Sequence, residues 1–265
     1  MIKTTAFKNG TVSFSDQGKG RVVVLLHGYL GSKELWEKNI PELAKTFRVI
    51  TIDLPGHGQT ACFGYVHSME LMAKCVKKVM DSLRLKKYVI VGHSMGGYAA
   101  LAFAELYPEN LCGLCLCHST ALPDLEEKKK DRTRAIKLVK ANKRVYTKDT
   151  IKNLFATKNL KYLKDEVSFA TKIALSTSKQ GAVAALEGMK DRPNRDIILG
   201  MVGYPAMMII GEHDNILPFE SLLAQSETIR DKHVLLLEHD GHMGFLESPL
   251  VVNKALKKFI NACFW

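Results

Sequence analysis

A run of 17 residues near the middle of the chain constrains its fold more than any other. The apolar, β-branched residues Val89-Ile90-Val91 predict a buried strand, and the alanine-rich residues 98–105 predict a helix. Between them lies Gly92-His93-Ser94-Met95-Gly96-Gly97, which predicts a sharp turn because of its glycines. A serine with glycines two positions before and after it, set between a strand and a helix, is the nucleophile-elbow pattern. We therefore predict that the Ser94 hydroxyl is held out on a strained turn.

The length of the chain predicts one large core with an insertion. The chain has 265 residues, of which 46% are hydrophobic and 25% are charged. Because no window approaches 18 uninterrupted apolar residues and the first eight residues lack an apolar signal-peptide core, we expect a cytoplasmic protein without a membrane span. It is expected to be a monomer or a homodimer. The six cysteines do not follow the spacing of a secreted framework, so we expect free thiols.

Predicted strands alternate with predicted helices along most of the chain. The strands are expected at 4–8, 11–15, 21–26, 48–53, 89–91, 111–117, 206–211 and 233–237. The helices are expected at 34–47, 67–85, 98–105, 220–230 and 248–264. This order predicts an α/β fold with a mostly parallel central sheet and helices on both faces. Residues 1–120 and 195–265 are assigned to this core, and residues 121–194 to an inserted helical lid.

The net charge of +11 is concentrated in the predicted lid. Residues 121–196 contain 19 Lys and Arg against 10 Asp and Glu. No nucleic-acid-binding motif accompanies this charge, so we expect no nucleic-acid partner. Lid lysines such as Lys137 and Lys140 fit the outer faces of amphipathic helices. We therefore expect the charge to face solvent and the pocket to be apolar.

Two further residues supply what a serine nucleophile needs. A serine hydroxyl requires a base within hydrogen-bonding reach and a carboxylate that orients the base. Asp214 follows the predicted strand 206–211, and His242 follows the last predicted strand. Loops at the carboxyl ends of parallel strands meet at one edge of a sheet, so Ser94, Asp214 and His242 are expected to converge. The neighbouring candidates are His239, Asp240 and Glu212, each displaced from these positions or on the loop of the base itself.

The turn His27-Gly28-Tyr29-Leu30-Gly31 follows a predicted buried strand. A glycine-bearing loop in this position aims a backbone N–H into the crevice where open α/β sheets bind ligands. The later turn Asp53-Leu54-Pro55-Gly56-His57-Gly58 also carries a histidine, for which we expect a structural role.

Together, these motifs resemble the α/β-hydrolase superfamily over residues from about 20 to 260. The resemblance implies that Ser94 is the nucleophile, His242 the general base and Asp214 its orienter. It also implies an oxyanion hole formed by the backbone N–H groups of Leu30 and Met95, with no metal or organic cofactor. The expected function is hydrolysis of a small-molecule carboxylic ester or lactone, as in carboxylesterases.

Other members of that superfamily remain alternatives. Ser94 excludes the relatives that carry aspartate at the elbow, such as dehalogenases and epoxide hydrolases. The menaquinone-pathway lyase carries an arginine after the elbow glycines, where this chain has Tyr98, although a lid arginine is available as a substitute. The candidate substitutes are Arg132, Arg134 and Arg144. Enol-lactone hydrolases and slow-turnover ligand receptors are further alternatives, and turnover within seconds separates an enzyme from a receptor.

Four side chains flank the motif loops and are expected to line a substrate pocket. They are Trp36, Tyr98, His118 and Phe245.

Overall fold

The computed structural model describes residues 2–264, in which eight strands form one sheet. The strands are β1 (Ile2–Phe7), β2 (Gly10–Gln17), β3 (Val22–Leu26), β4 (Arg48–Ile52), β5 (Tyr88–His93), β6 (Leu111–Cys117), β7 (Ala206–Gly211) and β8 (Lys232–Leu237). Their spatial order is β1-β2-β4-β3-β5-β6-β7-β8. The pairings β1–β2 and β2–β4 are antiparallel, and all the others are parallel. The predicted α/β fold with a mostly parallel sheet is confirmed.

Helices connect the parallel strands. They are α1 (Ile40–Leu43), α2 (Met69–Ser82), α3 (Met95–Leu106), α4 (Glu126–Leu154), α5 (Lys164–Ser176), α6 (Lys179–Lys190), α7 (Asp196–Met201), α8 (Phe219–Ser226), α9 (Gly244–Glu247) and α10 (Pro249–Ala262). Every residue of β3 and β5 is buried, as expected for central parallel strands that are covered on both faces. None of the helices within residues 2–264 is long and apolar enough to cross a bilayer.

The predicted helix at residues 34–47 is wrong. The structure has a single 3₁₀ turn at Lys33–Trp36 and then the short helix α1, whose first turn contains Pro41. Proline lacks the backbone N–H that a continuous helix requires, and its ring blocks the preceding turn. The segment therefore begins a new helix at the proline.

The segment between β6 and β7 is helical, as the sequence predicts for residues 121–194. It contains α4, α5 and α6, and the last two pack against the long helix α4. Asn142 has φ −148° and ψ 83°, which are not helical values, so α4 bends at this residue.

The six cysteines are all free, and Cys62 and Cys112 are partly exposed.

A buried ion pair fixes the loop that follows β3. Lys33 Nζ lies 2.5 Å from Asp53 Oδ2, and both side chains are almost completely excluded from solvent. The Asp53 carboxylate also accepts hydrogen bonds from the backbone N–H groups of Lys33 and Gln59. Asp53 therefore links the turn after β3 to the turn after β4.

We expect the substitution Asp53→Asn to lower the free energy of unfolding by about 3–5 kcal/mol, because it leaves the Lys33 charge buried without a counter-ion. Urea denaturation measures this change. A matched control is Asp81→Asn, which removes the partner of Lys77 in an ion pair whose aspartate is 53% exposed. The control is expected to change stability by less than about 1 kcal/mol. An equally small effect at Asp53 would contradict the structural role given to the buried pair.

Candidate active site

Ser94 occupies the single position between β5 and α3. Its backbone has φ 49° and ψ −116°, a left-handed conformation that a residue with a side chain rarely adopts. A Cβ atom on Gly96 would lie 2.6 Å from the Leu26 carbonyl oxygen, so a larger residue would push α3 away from β3. The strand, the strained residue and the helix therefore form the sharp turn that the sequence predicts.

The loops after β7 and β8 bring Asp214 and His242 together. His242 Nδ1 donates a hydrogen bond to Asp214 Oδ2 over 2.7 Å. This bond fixes the imidazole so that Nε2 is the nitrogen available to take up a proton. Ser94 and His242 line the same cavity, and the Ser94 hydroxyl has no hydrogen-bond partner within residues 2–264. The structure thus brings together the three residues that the sequence singled out.

The Asp214 carboxylate is buried and held in its ionised form. Its Oδ1 atom accepts hydrogen bonds from the backbone N–H groups of Ile216 and Leu217, at 2.7 and 3.0 Å. Burial raises the pKa of Asp214, but the charge of His242 and its hydrogen bond outweigh burial and lower this pKa to about 2. Asp214 is therefore a negatively charged partner for His242 at neutral pH.

Two more histidines surround this pair. His93 Nε2 donates to the His242 carbonyl over 2.9 Å, which ties the elbow to the loop of the base. His118 Nε2 accepts a hydrogen bond from the Gly244 N–H, so its Nδ1 carries the proton and lies 3.9 Å from Asp214 Oδ2. Burial lowers the pKa of His118 to about 3, although the Asp214 charge acts in the opposite direction. Both side chains are completely or almost completely buried and are neutral at physiological pH.

The assignment of the Leu30 N–H to the oxyanion hole is wrong. This N–H donates to His57 Nε2 over 3.2 Å, and Leu30 itself has φ 61°. In contrast, the N–H groups of Tyr29 and Met95 donate to no acceptor in the part of the chain that the structure describes. His57 is structural, as expected, because it fixes the Leu30 backbone. The sequence did not show which N–H of the turn would stay free.

A cavity of about 180 Å³ lies over Ser94, between the sheet edge and α4. Apolar residues from several elements contribute to its wall: Ala135, Leu154, Leu186, Met189 and Ile216. Three tyrosines, Tyr29, Tyr98 and Tyr146, also line it. The residues 121–194 therefore supply much of the cavity wall.

Of the four predicted pocket residues, only Tyr98 lines this cavity. Trp36 and Phe245 are fully buried and pack against each other, with ring centroids 4.4 Å apart. His118 is buried beside Asp214. None of these three side chains lines the cavity. Proximity to a motif in the sequence identified them, but such proximity does not fix the direction of a side chain.

The cavity wall is mainly apolar, as expected, but not all of the lid charges face solvent. Lys128, Asp131 and Arg132 line the cavity beside the apolar residues. They come from the first half of α4, whose outward-facing Lys137 and Lys140 are exposed as expected. One helix therefore places charged residues both in solvent and in the cavity.

The alternative base and orienter lie elsewhere. His239 and Glu212 are exposed, and neither lines the cavity. Asp240 is buried, but it does not line the cavity. The carboxylate that binds His242 is that of Asp214.

Comparisons with known proteins agree with this fold. The sequence profile described as "alpha/beta hydrolase fold" matches residues 21–249. The dihydrolipoyllysine-residue acetyltransferase component of the acetoin cleaving system of Pseudomonas putida is 30% identical over 91% of this chain, which spans 64% of that protein. The AB hydrolase superfamily protein YisY of Bacillus subtilis is 26% identical over 95% of this chain and 96% of its own length.

A solved structure is similar over the whole chain. It is a thermophilic esterase from Thermogutta terrifontis, studied with malate bound, which superposes with a TM-score of 0.93 at 31% sequence identity. The match covers 100% of this chain and 98% of the esterase. The chain belongs to the α/β-hydrolase fold family.

Proposed function

We propose that this protein is a serine hydrolase that cleaves a carboxylic ester or lactone bond of a small molecule through an acyl-enzyme on Ser94. The observation that carries the proposal is the hydrogen bond of 2.7 Å between His242 and the ionised Asp214, beside a strained Ser94 in the same cavity. This is the nucleophile, base and orienter arrangement that serine hydrolases require.

In the first half of the reaction, Ser94 Oγ attacks the ester carbonyl while His242 Nε2 takes the hydroxyl proton. Asp214 stabilises the imidazolium that forms. In this proposal the N–H groups of Tyr29 and Met95, which have no acceptor within the described chain, donate to the developing oxyanion. His242 then gives its proton to the leaving alkoxide, and the alcohol departs.

In the second half, His242 removes a proton from a water molecule, which attacks the acyl carbonyl. The same two N–H groups stabilise the second oxyanion. The bond to Ser94 Oγ breaks, His242 returns the proton to Oγ, and the acid is released.

Residues 121–194 act as a lid in this proposal. They include α4, α5 and α6, and α4 supplies Tyr146, Thr150 and Leu154 to the cavity. The bend at Asn142 divides α4 into two parts, and both parts line the cavity. The first part contributes charged and apolar residues between Lys128 and Ala135, and the second contributes Tyr146. Such a cover excludes water from the reacting carbonyl and strengthens the electrostatic interactions beneath it.

The ester or lactone class is supported by the similar Thermogutta terrifontis enzyme, which is an esterase. The malate bound to that enzyme is a dicarboxylate, so its structure accommodates a small organic anion.

Activity profiling of the purified protein tests the proposed function. The substrates are p-nitrophenyl esters of graded acyl length and a set of lactones. Since the cavity is small, at about 180 Å³, we expect turnover within seconds for acetyl to butyryl esters and a fall in kcat/KM for octanoyl and longer chains. Turnover over hours instead indicates a receptor, and no turnover of any ester or lactone contradicts the proposal.

A lyase that acts on an anionic substrate is the second candidate. The observation that favours it is the arginine in the cavity, Arg132, because the elbow helix has Tyr98 where the menaquinone-pathway lyase has arginine. Hydrolysis in ¹⁸O-labelled water incorporates one labelled oxygen into the acid product, whereas an elimination incorporates none. This measurement separates the two reactions.

A further inference from the structure

Several side chains that carry hydrogen-bond donors line the cavity over Ser94. The hydroxyl of Tyr29 is buried, and the hydroxyl of Tyr146 lies beside it. Tyr98 and Tyr146 also line the cavity, so that three phenol hydroxyls adjoin the same small space. Buried polar groups in proteins almost always find a partner. The phenol hydroxyls that line this cavity can therefore donate to acceptor atoms of a ligand.

The fourth donor is the guanidinium of Arg132. Its Nε donates to Asp124 Oδ2 over 2.9 Å, and its side chain is only 15% exposed. Its other two nitrogens donate to no group of the described chain, although a guanidinium carries five N–H donors. Asp124 therefore binds one nitrogen of the guanidinium, and Arg132 lines the cavity.

The three phenols and this guanidinium are close enough to affect one another. Burial raises the pKa of Tyr29, the neighbouring Tyr146 and its hydrogen bond to Tyr29 raise this pKa further, and the charge of Arg132 lowers it. Arg132 lines the same cavity as Tyr98 and Tyr146. The donors therefore converge on one region.

The balance of charge in this region is positive. Asp124 is shared with Arg192, whose other hydrogen bonds go to the carbonyls of Met189 and Leu122. The charge of Arg192 therefore offsets that of Asp124 and leaves Arg132 uncompensated. At the edge of the cavity, Asp131 is paired with Arg134 at 3.0 Å, and Lys128 adds a second positive charge without an ion pair in the described chain.

We propose that the substrate carries a free carboxylate in addition to the bond that is cleaved, and that Arg132 binds this carboxylate together with the hydroxyls of Tyr29, Tyr98 and Tyr146. A guanidinium fork matches the two oxygens of a carboxylate, and phenol hydroxyls supply further donors. The substrate class is therefore the half-esters of small dicarboxylic acids, or lactones with a carboxylate. This inference rests on the proposed function, since it assigns a substrate class to the same site.

The first experiment compares two ethyl esters of similar size. Monoethyl succinate carries the free carboxylate, whereas ethyl levulinate has a neutral acetyl group in its place, and both release ethanol. Because a charged hydrogen bond that is lost in a buried site costs about 10- to 100-fold in binding, we expect kcat/KM for monoethyl succinate to be at least tenfold higher. A ratio near one, or a preference for ethyl levulinate, overturns the inference and leaves the ester hydrolase intact.

Variants then test which residues set this ratio. Arg132→Gln is expected to lower the ratio of the two kcat/KM values by about tenfold or more, and Tyr146→Phe by about threefold, because a neutral donor contributes less than a charged one. Arg144→Gln is the matched control, since Arg144 is exposed on the same helix and does not line the cavity, and it is expected to leave the ratio unchanged. If Arg132→Gln does not fold, Tyr146→Phe alone carries the test. An unchanged ratio in Tyr146→Phe, or in a folded Arg132→Gln, overturns the inference.

A binding measurement keeps the inference separate from the hydrolase proposal. Calorimetric titration of succinate into the Ser94→Ala protein is expected to show binding that weakens at least tenfold in Ser94→Ala/Arg132→Gln. If neither ethyl ester is hydrolysed but this binding is seen, the hydrolase proposal fails while the carboxylate site stands. If the esters are hydrolysed without a preference and succinate does not bind, the carboxylate site fails alone.

Discussion

Replacing Ser94 with alanine is expected to lower kcat by about 10⁴-fold or more while leaving the protein folded, because the nucleophile and base act as a unit. The alanine side chain is smaller than that of serine and fits the same space. We therefore expect the variant to keep the strained backbone of the turn, at φ 49°. Steady-state kinetics on the best short-chain ester measures the loss, and thermal unfolding checks the fold.

A fluorophosphonate probe gives a second readout of the same prediction. It is expected to label the wild-type protein at Ser94 and to leave the Ser94→Ala protein unlabelled. Ser119 is a suitable control because its hydroxyl donates to the Ser94 carbonyl over 2.8 Å and it does not line the cavity. Labelling of Ser119 or of any other serine, or retained activity in Ser94→Ala, would overturn the assignment of the nucleophile.

The second prediction concerns His242 and Asp214. His242→Ala and Asp214→Asn are each expected to lower kcat by about 10⁴-fold, by analogy with other triads. In Asp214→Asn, the amide donates a hydrogen bond where the carboxylate accepted one, so His242 takes the tautomer with its proton on Nε2. That tautomer cannot accept the Ser94 proton.

The double variant distinguishes an orienter from an independent catalyst. His242→Ala/Asp214→Asn is expected to be within about threefold of His242→Ala alone, because Asp214 acts through the imidazole. His239→Ala is the matched control, since His239 is exposed and lies three residues before the base. If His239→Ala loses the activity while His242→Ala keeps it, the base has been misassigned.

The order of elements and the three catalytic candidates were predictable from local patterns. An apolar run such as Val89 to Val91 must be buried, and the flanking glycines allow a turn that few other residues permit. Parallel strands then place their carboxyl ends at one edge, which brings loops 120 residues apart in the chain to the same place. The positions of Ser94, Asp214 and His242 follow from this geometry without knowledge of any side-chain rotamer.

Side-chain direction and hydrogen-bond competition were decided only by the tertiary structure. The Leu30 N–H was a reasonable candidate for the oxyanion hole until His57, 27 residues later, proved to accept it. Trp36 and Phe245 lie beside the motif loops in sequence, but they pack against each other under the site. Both outcomes depend on contacts with residues that are distant in the chain. Such contacts leave no local pattern in the sequence.

The charge of residues 121–194 shows the same division most clearly. The sequence determined that this segment is basic and helical, because composition and periodicity are local properties. It did not determine which of the charges enter the cavity, since that depends on how α4 bends at Asn142 and docks over Ser94. The position of α4 is fixed by packing against α5 and α6, and it brings Arg132 into the cavity of Ser94 while Arg134, two residues later, stays in solvent.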